Sequence, residues 1–130
     1  MKPQPKLPRP TDAELEILAV LWSTGPATVR QVYEQISRRR PAQYSTILKF
    51  MQIMADKGLL RRDEEQRAHV YEAARPREWT QQQLAGHLLD RAFSGSAKAL
   101  LIGALSARKT SKSELAEIRK LLDEYAKEAK

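Results

Sequence analysis

The chain has 130 residues and a formal net charge of +7, from 23 lysines and arginines against 16 aspartates and glutamates. This length suits one domain, or a small domain with an oligomerisation segment, and the positive charge favours a polyanionic partner, with nucleic acid ahead of an anionic membrane surface. The absence of cysteine excludes disulfides, thiolate metal sites and a cysteine nucleophile, and it is compatible with a cytoplasmic location.

The first ten residues, MKPQPKLPRP, contain four prolines between basic and polar residues. Proline fixes φ and has no amide hydrogen to donate, so the stretch predicts a flexible arm over residues 1–10. It has no apolar segment of the kind found in a secretory signal, and no later run approaches the roughly 18 apolar residues of a membrane span. We therefore expect a soluble cytoplasmic protein with no membrane partner.

Two amphipathic helices are predicted next. Thr11 followed by Glu14 is a capping-box pattern that starts the first helix, and Ser23–Pro26 ends it. Thr28 with Gln31 repeats the pattern at the start of the second helix. Apolar residues of this helix recur at i, i+3, i+4 and i+7: Val29, Val32, Tyr33 and Ile36. The first helix has apolar residues at Leu15, Leu18, Leu21 and Trp22. Each helix is therefore expected to bury one face in a hydrophobic core.

Residues 41–60, PAQYSTILKFMQIMADKGLL, predict a third helix with two different faces, which Gly58 ends. Apolar residues line one face at helical spacing: Ile47, Phe50, Met51 and Met54. The other face offers hydroxyl, amide and ammonium groups, which bind base edges and phosphates. Its polar residues are Tyr44, Ser45, Thr46, Lys49 and Gln52. Most polar helix faces are simply solvated, so this face alone does not distinguish a DNA-reading surface from a solvated one. The neighbouring elements decide between these two interpretations.

A basic turn and a predicted β-hairpin flank the third helix. The turn contains Arg38, Arg39 and Arg40, which are either solvated or available as phosphate clamps. Residues 59–62 and 68–73 predict two strands, the second with period-two alternation, around a charged tip at residues 63–67. Three helices followed by a hairpin is the order of a winged helix-turn-helix, with the hairpin as the wing. This order predicts a DNA-binding domain over residues 11–75, with Arg67 as a further DNA contact.

Three more helices are predicted beyond Arg75, over residues 80–93, 96–105 and 111–126. Short amphipathic helices bury little core of their own, so we expect residues 76–130 to form a helical dimerisation region. The alternative is that they fold back onto the winged helix of the same chain. The residues expected at the dimer contact are Leu84, Leu88, Leu100, Leu101, Leu115, Ile118, Leu122 and Tyr125.

Residues 11–125 resemble the penicillinase and methicillin-resistance repressors, the BlaI/MecI family. The likeness lies in the segments TDAELEILAVLW, YSTI, ADKGLL, HVYEA and SELAEIRKLL. The resemblance implies a mainly α fold, in which an amino-terminal winged helix precedes carboxy-terminal dimerisation helices. It also implies a homodimer that represses transcription from an inverted repeat, often controlling a beta-lactamase gene and a membrane metallopeptidase sensor.

Carried over by position, the resemblance implies that Ser45, Thr46, Leu48 and Lys49 read DNA. Leu48 departs from the best-known members, which have an arginine there; leucine can contact a thymine methyl but cannot read a guanine edge. The resemblance further implies a regulatory protease as a partner. Family members are cleaved at an Asn-Phe bond in the helix matching residues 96–105, where this chain has Gly103-Ala104. The same protease specificity is therefore not implied.

Two other functions compete with DNA binding. For an enzyme, His69 and His87 belong to no metal-ligand spacing, and there is no G-x-S-x-G, phosphate-loop or H-E-x-x-H motif. We therefore predict no catalytic residue, no metal site and no cofactor. The second alternative is a winged-helix protein-interaction module, in which the polar face of the third helix docks a protein. The salt dependence of DNA binding distinguishes this alternative from a repressor.

Overall fold

The computed structural model describes residues 9–65 and 67–129, so residues 1–8 of the expected arm and Gln66 of the wing tip lie outside the described residues. The elements in chain order are α1 (Asp12–Thr24), β1 (Ala27–Thr28), α2 (Val29–Ser37), α3 (Tyr44–Asp56), β2 (Leu60–Asp63), β3 (Val70–Ala73), α4 (Arg77–Ala92), α5 (Ala97–Ala107) and α6 (Lys112–Glu128). They belong to two compact units, and the division between the units in the chain falls between Leu84 and Ala85, within α4. The domain boundary expected after residue 75 stays a prediction.

The capping boxes predicted for α1 and α2 are both present. Thr11 Oγ1 accepts a hydrogen bond from the Glu14 amide at 3.2 Å, and the Glu14 carboxylate accepts one from the Thr11 amide at 2.9 Å. Thr28 and Gln31 form the matching pair of bonds at 3.2 and 2.8 Å. Such caps satisfy amides that have no partner within the helix, which stabilises a protein by about 1 kcal/mol each.

The core of the first unit lies between α1, α2, α3 and the sheet. Its buried side chains are Ile17, Leu18, Val20, Leu21, Ala27, Val29, Val32, Ile36, Ile47, Met51, Met54, Leu59, Leu60 and Tyr71. Tyr33 and Phe50, placed on apolar faces by their spacing, are only partly buried at the edge of this core. The helical periodicity thus identified which face of each helix packs against the core, but not how completely each side chain is buried.

The sheet contains the predicted hairpin and one strand that the sequence did not predict. Its strands are antiparallel in the order β1-β3-β2. In β1, Ala27 pairs with Tyr71 and Thr28 with Val70. A two-residue strand immediately before a helix carries no period-two signal, so its pairing could not be read from the sequence. The pairing joins the start of α2 to the wing.

The helix α3 is shorter than the predicted 41–60 segment. It begins at Tyr44, after Gln43 in an extended N-cap conformation, and ends at Asp56. Gly58 has φ of +85°, a left-handed conformation that glycine adopts without a steric penalty. The chain therefore turns at Gly58 into β2, as the sequence predicted.

The helices α5 and α6 of the second unit contain no buried residue. Ser96 caps α5 and Ser111 caps α6, by accepting amide hydrogen bonds at 3.0 and 3.1 Å. The helix α4 begins at Arg77 instead of Thr80, because the Pro76 carbonyl accepts the Thr80 amide at 3.3 Å and the fixed φ of proline suits a helix start. Within the described part of the chain, no helix has the length and apolarity needed to cross a membrane.

A partly buried ion pair joins α1 to the end of α3 and makes stability depend on pH. Glu14 is 2% exposed and accepts a bond from Lys57 Nζ at 3.0 Å. Burial raises the pKa of Glu14, but the Thr11 amide and the Lys57 ammonium outweigh it and hold the pKa below its ordinary value of 4.5. A lowered carboxyl pKa stabilises the fold above the unfolded-state pKa, and this contribution is lost as pH falls through the folded-state pKa.

We therefore expect Glu14→Gln to lower the stability by about 1 to 3 kcal/mol at pH 7, and by less at pH 3. Urea unfolding of the parent and the variant at both pH values measures the difference. Glu34→Gln, at an exposed position of α2, is the matched control. An equal loss at the two pH values would show that the Glu14 charge is not what stabilises the fold.

Candidate nucleic-acid interface

The polar face of α3 is exposed while its opposite face is buried. Tyr44, Ser45, Thr46, Lys49 and Gln52 are all exposed. Ile47, Met51 and Met54 on the other side belong to the core. The exposed face therefore presents hydroxyl, amide and ammonium groups from a helix whose orientation is fixed by packing, as a surface that reads a DNA groove requires.

Leu48 lies between these two faces. It is partly buried and packs against the core, and it also lines a groove beside α3. Its side chain thus contacts the core and is also partly accessible from the groove. An apolar contact with a thymine methyl is the only base contact that such a side chain can offer.

The three arginines of the turn between α2 and α3 differ in their surroundings. Arg40 Nε donates to both carboxylate oxygens of Glu16 at 3.1 Å, and Arg40 Nη1 donates to the Pro41 carbonyl at 3.1 Å. The hydrogen bond from Arg40 is also the main cause that lowers the pKa of Glu16. Arg38 and Arg39 are exposed and form no ion pair within 4 Å among the described residues. Arg40 therefore ties the turn to α1, and the other two guanidinium groups remain available.

This difference predicts unequal effects on the salt dependence of DNA binding. Replacing Arg38 and Arg39 by alanine should flatten the slope of log K against log salt by roughly 0.9 for each phosphate that the variant no longer binds. Arg40→Ala should leave that slope unchanged. Titration of a DNA duplex at several salt concentrations measures both slopes. A slope flattened by Arg40→Ala as strongly as by Arg38→Ala would mean that Arg40 leaves Glu16 when DNA binds.

A groove of about 630 Å³ runs beside α3, between α2 and the wing. The residues expected to bind DNA that line it are Tyr44, Leu48, Gln52 and Arg67. His69 lines the same groove, and it is exposed. The structure thus brings one edge of α3 and the wing tip to one concave surface. Ser45, Thr46 and Lys49 are exposed but are not among the residues that line it. Across residues 9–65 and 67–129, no three His, Asp or Glu side chains are placed to hold a metal ion.

Arg30, which the sequence did not point to, also lines this groove. Its guanidinium carbon lies 5.1 Å from the centroid of the Tyr44 ring. The Tyr33 ring meets the Tyr44 ring edge-on, with centroids 5.6 Å apart and an interplanar angle of 76°. Arg30 is an isolated basic residue in the sequence, and its position in the first turn of a helix was the one signal that could have drawn attention to it.

The residues expected at a dimer contact are half-buried or exposed in the structure. Leu84, Leu100, Leu101 and Ile118 are partly buried. Leu88, Leu115, Leu122 and Tyr125 are 46%, 42%, 53% and 69% exposed. Ile102, Leu105 and Leu121 are also exposed, although the sequence did not place them at the contact. Nearly every position of α5 is apolar, so spacing alone could not show which side of that helix faces outward.

Comparisons with known proteins indicate the family to which the chain belongs. The family model described as "Penicillinase repressor" matches residues 10–124. The transcriptional regulator BlaI of Mycobacterium tuberculosis is 37% identical over 102 residues, which cover 75% of this chain and 72% of that protein. The penicillinase repressor of Bacillus licheniformis is 24% identical over 120 residues, which cover 92% of this chain and 94% of that protein.

A solved structure matches just over half of the chain. The solution structure of the DNA-binding domain of the repressor BlaI aligns with a TM-score of 0.50 and 28% sequence identity. It covers 55% of this chain and 88% of that domain. The winged-helix fold expected from the order of the elements is thereby confirmed. From the family model and the mycobacterial relative, we conclude that the chain belongs to the penicillinase repressor family.

Proposed function

We propose that this chain, a DNA-binding transcriptional repressor of the penicillinase repressor family, acts as a homodimer on an inverted-repeat operator. The observation that carries the proposal is the exposed polar face of α3, which follows a turn where Arg38 and Arg39 are exposed and form no ion pair within 4 Å among the described residues. Tyr44 and Gln52 of this face line a groove with Arg67 of the wing. A polar face without such flanking cations would suit solvent equally well. A polar face with flanking cations matches the base edges and phosphates of a duplex.

In the proposed complex, the first half of α3 lies in the major groove. Ser45 and Thr46 offer hydroxyls to base edges, and Lys49 offers an ammonium to a base or a phosphate. Arg38 and Arg39 at the start of the helix, and Arg67 on the wing, then lie on the two sides where the sugar-phosphate strands pass. Phosphate contacts from both sides would fix the register of the helix on the duplex.

Pairing of two copies is supported by the apolar surface of α4, α5 and α6. Seven large apolar side chains of these helices are exposed: Leu88, Ile102, Leu105, Leu115, Leu121, Leu122 and Tyr125. Single exposed leucines are ordinary, but a series along three consecutive helices marks an interaction surface. Burying them in two copies offers roughly 10 to 20 kcal/mol, against an association cost of about 4 to 15 kcal/mol.

The proposal is tested by the DNA that the full-length protein selects from random fragments. We expect a two-fold repeat whose half-sites are spaced by about one or two helical turns. Binding of that DNA should weaken steeply with salt, because phosphate contacts release counterions. No enrichment of any sequence would instead favour the protein-interaction module.

The target and the inducing step are proposed from the family. Because the Bacillus licheniformis relative is named a penicillinase repressor, we infer that a beta-lactamase gene is the first target to test. The family resemblance adds a gene for a metallopeptidase sensor as a second candidate. A regulatory protease remains the proposed partner for induction. The pair Gly103-Ala104 lies within α5 and differs from Asn-Phe, so cleavage by a protease with the family's specificity is not implied.

A further inference from the structure

We propose that Arg30 binds a DNA phosphate and that Tyr44 is the residue that positions it. This inference rests on the proposed DNA-binding function and adds a contact that the sequence did not reveal. It also gives Tyr44 an indirect role, because its ring is engaged by Arg30 and Tyr33 of the same chain.

The protein itself provides no ionic reason for an arginine at this position. Arg30 is exposed in the first turn of α2, where the helix dipole disfavours a cation, and that turn contains no acidic residue. Glu34 lies one helical turn away and lines the same groove, yet Arg30 forms no ion pair within 4 Å with any described residue. Its charge is therefore available to a ligand.

The contact with Tyr44 orients this charge without consuming its hydrogen-bond donors. The guanidinium carbon lies 5.1 Å from the ring centroid, within the range of a cation-π contact. A guanidinium presents its face to a ring while its N–H groups point outward in its own plane. Tyr33, packed edge-on at 5.6 Å, in turn fixes the Tyr44 ring. The arrangement holds a planar set of donors ready for an anion.

The groove indicates which anion this is. Arg30 lines it from α2 and Arg67 lines it from the wing, with Tyr44, Leu48 and Gln52 of α3 between them. Two guanidinium groups that line one groove from separate elements, beside a helix proposed to face bases, suit a polyanionic strand better than one small anion. Tyr44 directly precedes Ser45 and Thr46, so the phosphate bound by Arg30 would lie beside the bases that these residues read.

The test measures the affinity of the full-length protein for its selected operator, and for unrelated duplex, over a series of salt concentrations. Arg30→Ala should flatten the slope of log K against log salt by about 0.9 and weaken binding to both duplexes by the same factor. Arg30→Lys should restore the slope. Arg108→Ala removes the same charge from an exposed position after α5 and should leave the slope unchanged.

The positioning role of Tyr44 is tested by coupling. Tyr44→Leu should weaken binding without changing the charge, and it should have no further effect once Arg30 is alanine. Tyr44→Phe keeps the ring, so Arg30→Ala should lower the DNA affinity of this variant by the same factor as it lowers that of the parent. Urea unfolding of each variant checks that the fold is retained. If Tyr44→Leu weakens Arg30→Ala further, Tyr44 contacts DNA itself and the positioning role is wrong.

The remaining outcomes separate this inference from the function on which it rests. A parent that binds DNA, combined with an Arg30→Ala slope equal to that of Arg108→Ala, overturns the inference alone. An Arg30→Ala effect confined to the operator would show base reading and overturn the phosphate assignment. A parent that binds neither duplex overturns the proposed function itself.

Discussion

Replacing Leu115 and Leu122 by aspartate should make the full-length protein monomeric at micromolar concentration and lower its operator affinity by about 100-fold or more. Both side chains are about half exposed on α6, where a partner copy would cover them. A carboxylate buried there without a partner costs several kcal/mol. The loss of operator affinity follows because two linked reading helices gain roughly 10² to 10⁴ from effective concentration, and a monomer has only one.

The matched control is Lys120→Asp, which introduces an aspartate at an exposed charged position of the same helix. It should leave both the oligomeric state and the operator affinity close to those of the parent. Sedimentation and DNA titration on the same preparations give the two measurements. A parent that is already monomeric at micromolar concentration, or a double variant that remains dimeric, would reject the proposed role of α6.

The parts of the fold that the sequence predicted are those with local causes. The capping boxes at Thr11 and Thr28 depend on a residue three positions away, and the apolar faces of α1 to α3 depend on spacings of three and four. The left-handed turn at Gly58 depends on one residue. Such features depend on residues that are close together in the sequence, so the order of the helices and the wing could be predicted from the sequence.

The parts that the sequence did not predict depend on residues brought together by folding. The Arg40 bond to Glu16 joins positions 24 residues apart and removes one arginine from an otherwise uniform basic turn. The Arg30 contact with Tyr44 joins α2 to α3 through an aromatic ring. In the sequence, the three arginines of the turn and the polar residues of α3 look alike. Only the folded structure shows which of their side chains contact other residues of the chain and which can contact a ligand.

The largest change in specificity is expected from Thr46. Thr46→Ala should relax the base preference at one operator position by about 1 to 3 kcal/mol, because the variant has no hydroxyl to bond a base edge. Lys49→Ala should have a mixed effect. Loss of a phosphate contact weakens operator and unrelated duplex together and flattens the salt slope, and loss of a base contact weakens operator binding further. Both side chains are exposed, so neither change should alter the core that holds α3.

Conservative variants separate the missing group from any disturbance of α3. Thr46→Ser keeps the hydroxyl and should retain the base preference, whereas Lys49→Arg keeps the charge and should retain the salt slope. Selection of DNA from random fragments reports the preference, and titration over salt reports the slope. If the two alanine variants remain folded and select the parental operator with the parental affinity, the assignment of α3 as the reading helix is wrong.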